Sequence, residues 1–330
     1  MAYSKSNRHS QGETVLITGG CGFIGTNLIK YLADKTYQLR ILDNLSTGKE
    51  ESLKKLQSQY YRLPNVDSIV GDIRNRKMVN QAVKGVDAVV HLAAHTNVVE
   101  SIENPKEDWD INVNGTLNLL ETCRKNGVGR FIFASSNAVL GEQSPPIDES
   151  KTPKPLSPYG AAKLTGEALC SSYCHSFGLN VISLRFANCY GPYSEHKTNV
   201  VSRFMGCALD GTSLIIYGDG NQTRDFVHVD DVCQAIYLAL TTQQAQGTQQ
   251  TFPCGEVFQI ATGVETSIRN LAKLIGEITG RELQIIHEPE RKGEIKRNYS
   301  NISKARAMLG FKPKVELRAG LNNLWEWLNE

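Results

Sequence analysis

The chain has 330 residues, of which 40% are hydrophobic and 21% are charged, so it can bury a large core. The 36 Lys and Arg nearly balance the 34 Asp and Glu, which argues against a general nucleic-acid-binding protein. No apolar run approaches the length of a membrane span, and the polar segment 1–12 lacks the apolar core of a signal peptide. We therefore expect a cytoplasmic protein with no membrane partner and with a disordered tail at 1–12.

The eight cysteines are scattered along the chain and include no C-x-x-C pair. The closest two, Cys170 and Cys174, lie at i and i+4 on a predicted helix, where packing is the expected role. We therefore expect reduced thiols, without a zinc site or a disulfide framework.

Short apolar runs alternate with helical patterns over the first half of the chain. The predicted strands are Thr14–Thr18, Gln38–Leu42, Ser68–Val70, Val86–His91, Arg130–Ala134 and Asn180–Arg185. The predicted helices end near Ala33 or lie near 50–58, 75–83, 109–126 and 158–176. This alternation is typical of an α/β fold with a doubly wound parallel sheet of the Rossmann type.

Beyond Arg185 the alternation loosens. The predicted helices there are Val200–Leu209, Val229–Leu240, Ser267–Thr279, 303–309 and 319–328. The predicted strands are Leu214–Tyr217 and Val257–Ile260, of which the second returns to the main sheet, and Thr241–Glu256 reads as a surface loop. We expect a Rossmann domain at 13–186, completed by 226–262. The segments 187–225 and 263–330 are expected to form a smaller α+β substrate domain.

A glycine-rich turn follows the first strand. Gly19, Gly22 and Gly25 form G-x-x-G-x-x-G and lead into a helix, so that a pyrophosphate can approach the backbone at a helix N-terminus. Asp43 ends the second strand, where a carboxylate accepts from a ribose 2′-hydroxyl and repels a 2′-phosphate. The next residue is Asn44 and not an arginine, so the turn predicts NAD in preference to NADP.

Asp72 ends the third strand in the run Gly71-Asp72-Ile73. A carboxylate there could accept from the adenine amino group. The alternative is an ordinary aspartate at a strand end.

The run Ser157-Pro158-Tyr159-Gly160-Ala161-Ala162-Lys163 predicts the start of a helix. Serine is a good N-cap, and proline suits the first helical position. Tyr159 and Lys163 then share one helix face at i and i+4, where an ammonium group favours the phenolate over the phenol. The run predicts a base for a hydroxyl proton. A pair of ordinary surface residues is the alternative for any isolated Tyr and Lys at this spacing.

Nine blocks occur in order over about 18–330: T-G-G-C-G-F-I-G (18–25), D-N-L-S-T-G (43–48), G-D-I-R (71–74), H-L-A-A (91–94), N-V-N-G-T (112–116), S-S-N-A-V-L-G (135–141), S-P-Y-G-A-A-K (157–163), L-R-F-A-N-C-Y-G-P (184–192) and T-R-D-F-V-H-V-D-D (223–231). With these blocks the chain resembles the extended short-chain dehydrogenase/reductases. Within them it is similar to nucleotide-sugar 4-epimerases of the UDP-glucose and UDP-N-acetylglucosamine type.

The resemblance implies three catalytic residues. Tyr159 is the base, Lys163 holds the nicotinamide ribose and tunes Tyr159, and Ser136 bonds the sugar 4-oxygen. The NAD site would comprise Tyr159 and Lys163 together with Gly19, Gly22, Phe23, Ile24, Gly25, Asp43, Asn44, Ser46, Thr47, Gly48, Asp72, Ile73, Leu92, Ala93, Ala94, Thr96 and Asn112. The UDP-sugar site would comprise Ser136, Asn188, Asn199, Val200, Tyr217, Arg224, Arg291, Glu294 and Asn298. Arg224 and Arg291 would pair with the diphosphate.

The implied reaction inverts the sugar at C4. Tyr159 removes the proton of the 4-hydroxyl while the C4 hydride passes to tightly bound NAD⁺, and the hydride returns to the other face of the 4-keto sugar. Asn137 stands where dehydrating and decarboxylating relatives carry an acid, which argues against those reactions. Leu140 replaces the tyrosine usual in the family, and we have no account of that change.

The sugar is predicted from Asn298, which falls where glucose-restricted epimerases carry a large aromatic residue. A small residue there leaves space for an N-acetyl group, so UDP-GlcNAc and UDP-GalNAc are favoured, with or without the glucose pair. Lys296 and Arg297 keep a UDP-uronic acid open, since a cation pairs with a carboxylate, although a solvated basic loop is the commoner case.

Two other functions remain open, a 4-keto-sugar reductase and a non-catalytic NAD sensor. The set Ser136, Tyr159 and Lys163 argues against a sensor, which has no need of all three. By resemblance we expect a homodimer built from the helices near 109–126 and 158–176.

Overall fold

The structure is a computed structural model that describes residues 12–60, 66–194, 199–242, 253–290 and 295–330. The strands are β1 (Thr14–Thr18), β2 (Gln38–Asp43), β3 (Asp67–Val70), β4 (Ala88–His91), β5 (Arg130–Ser136), β6 (Val181–Phe186), β7 (Asn188–Tyr190), β8 (Leu214–Tyr217), β9 (Thr223–Arg224), β10 (Phe226–His228), β11 (Glu256–Ile260), β12 (Thr266–Ser267) and β13 (Ile285–Glu288). The predicted tail at 1–12 lies outside the described residues except for Gly12.

The α-helices are α1 (Phe23–Leu32), α2 (Glu50–Gln59), α3 (Arg76–Val83), α4 (Val98–Glu103), α5 (Pro105–Trp109), α6 (Gly115–Asn126), α7 (Pro158–Phe177), α8 (Val200–Asp210), α9 (Val229–Thr241), α10 (Ile268–Thr279), α11 (Ser303–Leu309) and α12 (Leu317–Leu328). A π-helical turn, Asp110–Asn114, joins α5 to α6, and a short 3₁₀ turn, Asn137–Val139, follows β5. No helix in the described part of the chain is both long and apolar enough to cross a membrane.

In the described part of the chain, seven strands form the main sheet in the order β11-β6-β5-β4-β1-β2-β3, and every pair is parallel. The order reverses direction between β1 and β4, which is the arrangement that opens a crevice at the carboxyl ends of the strands. The predicted Rossmann-type fold is confirmed. The prediction that Val257–Ile260 returns to this sheet is also confirmed, because β11 pairs with β6.

Both faces of the sheet are buried. In β1, Val15 and Ile17 pack in one apolar cluster with α1 and α9, whereas Leu16 packs in a second cluster with α3 and α6. This explains why the strands are continuous apolar runs without a polar alternation. A third cluster joins α8, β8, α10 and α12, and Phe204 and Leu271 are among its buried residues. The predicted domain boundaries stay a prediction.

Two short helices and the π turn were not predicted. The helix predicted at 109–126 begins in the structure as α5, opened by Pro105 at its first position, and passes through Asp110–Asn114 before α6. π-Helical turns are frequently found at functional sites. Here the turn carries Asn112 toward the loop after β4, where it bonds the backbone of His95.

The prediction of reduced thiols is wrong for one pair. Cys174, near the end of α7, is joined by a disulfide to Cys254, which lies 80 residues later and just before β11. The sheet brings the two together, because β11 lies beside β6 and β6 follows α7. That contact depends on topology, which cysteine spacing does not reveal. The other six cysteines are free thiols.

Candidate active site

A cavity of about 660 Å³ lies across the carboxyl ends of β1, β2, β4 and β5. Its walls also include the start of α4, the first turns of α7 and the segment around β7. The predicted site residues that line it are Gly19, Gly22, Phe23, Ile24, Gly25, Asp43, Asn44, Ser46, Thr47, Asp72, Ile73, Leu92, Ala93, Ala94, Thr96, Ser136, Tyr159, Lys163, Asn188, Asn199, Arg224 and Asn298. One cavity therefore brings together most of the predicted cofactor, catalytic and substrate residues.

The glycine-rich turn presents backbone N–H groups to this cavity. Gly22 caps α1 without a side-chain hydrogen bond, and the first turn of α1 carries no acidic residue, so the helix end is suited to an anion. A Cβ on Gly19 would lie 2.7 Å from the Ala93 nitrogen, and one on Gly25 would lie 2.2 Å from the Gly19 oxygen. Only glycine fits this close approach, so the turn suits the pyrophosphate of a dinucleotide.

Asp43 is held rigidly at the end of β2. Its Oδ2 accepts from the Cys21 N–H at 2.9 Å, and its Oδ1 accepts from the Leu45 N–H at 2.8 Å. Leu45 has a φ of 58°, which turns the chain sharply after the strand. Each carboxylate oxygen keeps a second lone pair, so Asp43 can also accept from the hydroxyls of a ribose.

Asp72 is bonded to Arg74 and to Asn44. Arg74 donates from Nε to Oδ1 at 3.0 Å and from Nη2 to Oδ2 at 2.8 Å, and Asn44 Nδ2 donates to Oδ2 at 3.0 Å. These bonds lower the pKa of Asp72 to about 2, so it is a carboxylate at neutral pH. The guanidinium of Arg74 is thereby held on Asp72 and not on Asp43.

Helix α7, which carries Tyr159 and Lys163, begins as the sequence predicts. Ser157 caps α7, its Oγ accepting from the Gly160 N–H at 3.1 Å, and Pro158 occupies the first turn. The Tyr159 N–H donates to Ser101 Oγ at 3.2 Å. The Ser136 side chain lies close enough to the Tyr159 hydroxyl to lower the pKa of the phenol.

The expected effect of Lys163 on the Tyr159 phenol is wrong for the chain alone. Burial raises the pKa of Tyr159 to about 12; the Ser136 hydrogen bond opposes this rise and the Asp108 charge adds to it. Lys163 Nζ donates to the Ala134 carbonyl at 2.9 Å and lies 5.9 Å from the centre of the tyrosine ring. The ammonium group is thus directed at the end of β5.

Three of the polar residues predicted to bind the substrate line the cavity from different elements. Asn188 of β7 donates to the Asp225 carbonyl at 3.3 Å, and Asn199 caps α8 by accepting from the Ser202 N–H at 2.9 Å. Arg224 donates from Nη1 to the carbonyls of Thr223 and Ile295, each at 2.8 Å. Arg291 and Glu294 lie outside the described residues.

Four other predicted residues do not line the cavity directly. Gly48 packs against the glycine-rich turn, where a Cβ would lie 2.6 Å from the Cys21 carbonyl carbon. Asn112 is buried and bonds the N–H and C=O of His95, so it shapes the loop after β4. Val200 begins α8, and Tyr217 ends β8.

Asn137, next to Ser136, is 7% exposed and lines the cavity. Its Nδ2 donates to Ser300 Oγ at 3.1 Å. The family's usual tyrosine is replaced at Leu140, which is fully buried with Val139 and Ile147.

Several residues that line the cavity were not singled out from the sequence: His95, Asn97, Val98, Val99, Glu100, Ala138, Cys189 and Ile295. Five of them belong to the stretch from His95 to the start of α4. The sequence signal that was available is the polar run His95-Thr96-Asn97 directly after H-L-A-A, at a strand end where ligands bind in open α/β sheets.

The chain is similar to known proteins over nearly its whole length. It is 38% identical to a protein named putative UDP-glucose 4-epimerase from Methanocaldococcus jannaschii, over 95% of this chain and 98% of that one. Among solved structures, UDP-glucose 4-epimerase from Thermotoga maritima with UDP-glucose superposes with a TM-score of 0.87 at 35% identity, covering 96% and 98% of the two chains.

A second solved structure carries a different sugar. It is UDP-N-acetylglucosamine 4-epimerase from Methanobrevibacter ruminantium in complex with UDP-N-acetylmuramic acid, with a TM-score of 0.86, 31% identity and 97% and 99% coverage. The model of the NAD dependent epimerase/dehydratase family matches residues 15–260, which include the glycine-rich turn and the Ser136, Tyr159 and Lys163 set. The chain belongs to the NAD dependent epimerase/dehydratase family.

Proposed function

We propose that this protein is an NAD-dependent UDP-sugar 4-epimerase. The observation that carries the proposal is the convergence of Ser136, Tyr159 and Lys163 on one cavity with the glycine-rich turn and Asp43. Both halves of the reaction, cofactor binding and proton transfer, thus have their groups in one place. The relatives named above as UDP-sugar 4-epimerases support this assignment.

Each group of residues has its own role in the proposed reaction. Gly22 and the end of α1 bind the pyrophosphate, Asp43 holds the adenosine ribose, and Lys163 holds the nicotinamide ribose. Bound NAD⁺ supplies the acceptor and then the donor of the C4 hydride. Tyr159 takes the proton of the 4-hydroxyl and later returns it, and Ser136 orients the 4-oxygen against the phenol. The cavity lets the 4-keto sugar turn, so that hydride returns to its opposite face.

Among the sugars, we favour UDP-GlcNAc and UDP-GalNAc, alone or with UDP-Glc and UDP-Gal. Asn298 lines the cavity and is smaller than the aromatic residue it replaces, so it leaves space beside C2. A UDP-uronic acid is less well supported, because Arg297 donates to Glu265 at 2.7 and 2.8 Å and does not line the cavity. Lys296 is exposed and does not line it either.

The homodimer also belongs to the proposal. Trp109, Leu117 and Phe177 are 45%, 37% and 54% exposed on α5, α6 and α7, the region in which we expect the partner copy. Burying such residues against a second copy would stabilise the dimer. The cytoplasmic location stays a prediction.

The experiment is NMR of the purified protein with UDP-glucose, UDP-GlcNAc and UDP-glucuronate in separate tubes and with no NAD added. We expect interconversion at C4 without accumulation of reduced cofactor, and fastest with UDP-GlcNAc. Tyr159→Phe removes the proton-transfer group and should lower the rate at least about 100-fold. A product that forms only with stoichiometric NADPH would support the 4-keto-sugar reductase instead. No conversion even with added NAD would overturn the proposal.

A further inference from the structure

A histidine at the cavity wall lies between two carboxylates. His95 Nδ1 is 3.1 Å from Asp108 Oδ1, and its Nε2 is 2.8 Å from Glu100 Oε2. A neutral imidazole has one donor and one acceptor nitrogen, and a carboxylate only accepts. Both contacts are hydrogen bonds only when both ring nitrogens carry protons, so the geometry describes an imidazolium ion.

Asp108 is the buried partner of this imidazolium ion, and it depends on the positive charge of the ring. Asp108 is fully buried, and its Oδ2 has no hydrogen-bond partner among the described residues. Its Oδ1 accepts from Asn112 Nδ2 at 3.0 Å as well as from His95. A buried carboxylate with one unpaired oxygen is costly unless a cation lies beside it, and His95 is the cation in contact. The pKa of His95 is raised by its bonds to Glu100 and Asp108, although burial opposes them.

The same ring fixes the wall beside the catalytic tyrosine. Glu100 lies on α4, whose first residues Val98 and Val99 line the cavity. The next residue, Ser101, is fully buried and accepts the Tyr159 N–H through its Oγ. His95 thus connects α4 to α5 directly behind the start of α7.

We propose that protonated His95 is a positioning residue that holds α4 against α5, and through Ser101 sets the first turn of the catalytic helix α7. This rests on the proposed function, in which Tyr159 is the base. Within the described residues, the charged groups that face the ring are Glu100 from α4 and Asp108 from α5. From α7 the titratable group concerned is Tyr159, whose pKa the Asp108 charge helps to raise. Loss of the imidazolium proton would leave that charge uncompensated and free α4.

The sign of the pH effect follows from the raised pKa. We call the contacts of protonated His95 with Glu100 and Asp108 the clamp. Below the ordinary histidine pKa of about 6.5 the imidazolium is present in the folded chain, so the clamp is formed. The clamp is lost as the pH rises through the higher pKa of His95 in the fold. Tyr159 acts in the opposite sense, since its phenol loses a proton as the pH rises.

The test compares His95→Gln with His95→Arg from about pH 6 to about pH 9. His95→Gln has no charge and should lower kcat about tenfold at the acid end, with KM for the UDP-sugar nearly unchanged. The gap from the unaltered protein should close as the pH rises, because that protein then loses its own clamp. His95→Arg keeps a cation and should recover part of kcat at every pH. His175→Gln, at an exposed position near the end of α7, is the matched control and should behave as the unaltered protein.

A gap that stays constant over the range, or His95→Arg no better than His95→Gln, would overturn the proposal. A second readout does not depend on catalysis: the His95 ring followed by NMR should titrate above about 6.5, and lower in Asp108→Asn. Titration of His95 below its ordinary value would also refute the clamp. If the unaltered protein converts no UDP-sugar, the proposed function fails, whereas the NMR titration still decides the role of His95.

Discussion

Removal of the Glu167 charge should destabilise the protein and slow the reaction together. Glu167 lies on α7 one turn beyond Lys163 and is 6% exposed. Its Oε1 accepts from Ser135 Oγ at 2.5 Å and from Arg185 Nε at 2.8 Å, and its Oε2 accepts from Arg185 Nη2 at 2.7 Å. This carboxylate joins helix α7 to β5, next to Ser136, and to β6.

The magnitude follows from burial. Arg185 is 4% exposed, so Glu167→Gln leaves a guanidinium buried without its counter-charge, which costs about 3–5 kcal/mol. The control is Asp67→Asn, which breaks the ion pair to Arg40 at a position that is 54% exposed. Exposed pairs contribute at most about 1 kcal/mol. We therefore expect the loss in free energy of unfolding to be several-fold larger for Glu167→Gln than for Asp67→Asn.

The assay is urea unfolding of both variants, with kcat measured on the folded proteins. Glu167→Gln should also lower kcat, because Ser135 and the turn beyond Lys163 lose their common anchor. A double change of Glu167 and Arg185 to leucine should recover stability, since no charge is then left buried. If Glu167→Gln loses no more free energy of unfolding than Asp67→Asn, the buried ion pair does not hold helix α7 and the reasoning is refuted.

Three further predictions concern the sugar, the cofactor and pH. Asn298→Tyr should abolish turnover of UDP-GlcNAc and spare UDP-glucose, measured by parallel rates, and equal loss of both would contradict the role of Asn298. Asp43→Asn removes a charge that repels a 2′-phosphate, so the ratio of NADP affinity to NAD affinity should rise about tenfold or more. Binding titrations with both cofactors measure this ratio, and an unchanged ratio would contradict the role of Asp43. Burial lowers the pKa of His91 to about 3. The contribution of neutral His91 to stability is therefore full above about pH 6.5 and is lost toward about pH 3, at about 1.4 kcal/mol per pH unit. The free energy of unfolding of His91→Gln, measured against pH, should lack this slope.

Local signals gave the fold and much of the cavity. The apolar run at Thr14–Thr18, the glycines after it and the cap at Ser157 are each specified by neighbours in sequence, and each is found as predicted. Parallel strands then direct their carboxyl ends to one edge, so residues predicted at separate strand ends meet in one cavity. The fold class and the edge of the sheet that carries the cavity thus follow from patterns that a single sequence contains.

Contacts between distant segments could not be predicted in this way. Asn137 meets Ser300 across 163 residues, and Cys174 meets Cys254 across 80. Spacing along the chain gives no measure of either distance. His95 and Asp108 are only 13 residues apart, but the π turn that brings Asn112 between them has no signature in the hydrophobic pattern. Because these contacts depend on long-range packing and on irregular helices, the groups that surround Tyr159 could not be predicted from the sequence.

For Tyr159, the sequence pattern predicts the position of the side chain, but it does not predict the pKa of the phenol. The Tyr-x-x-x-Lys spacing correctly places both residues at the cavity, yet Lys163 donates to the Ala134 carbonyl and its Nζ lies 5.1 Å from the Phe133 ring centre. Burial and the Asp108 charge both favour the neutral phenol. Ser136 opposes them but leaves the pKa at about 12, far above neutrality. The surroundings of Tyr159 in the folded chain thus favour the neutral phenol, in contrast to what the spacing from Lys163 predicts.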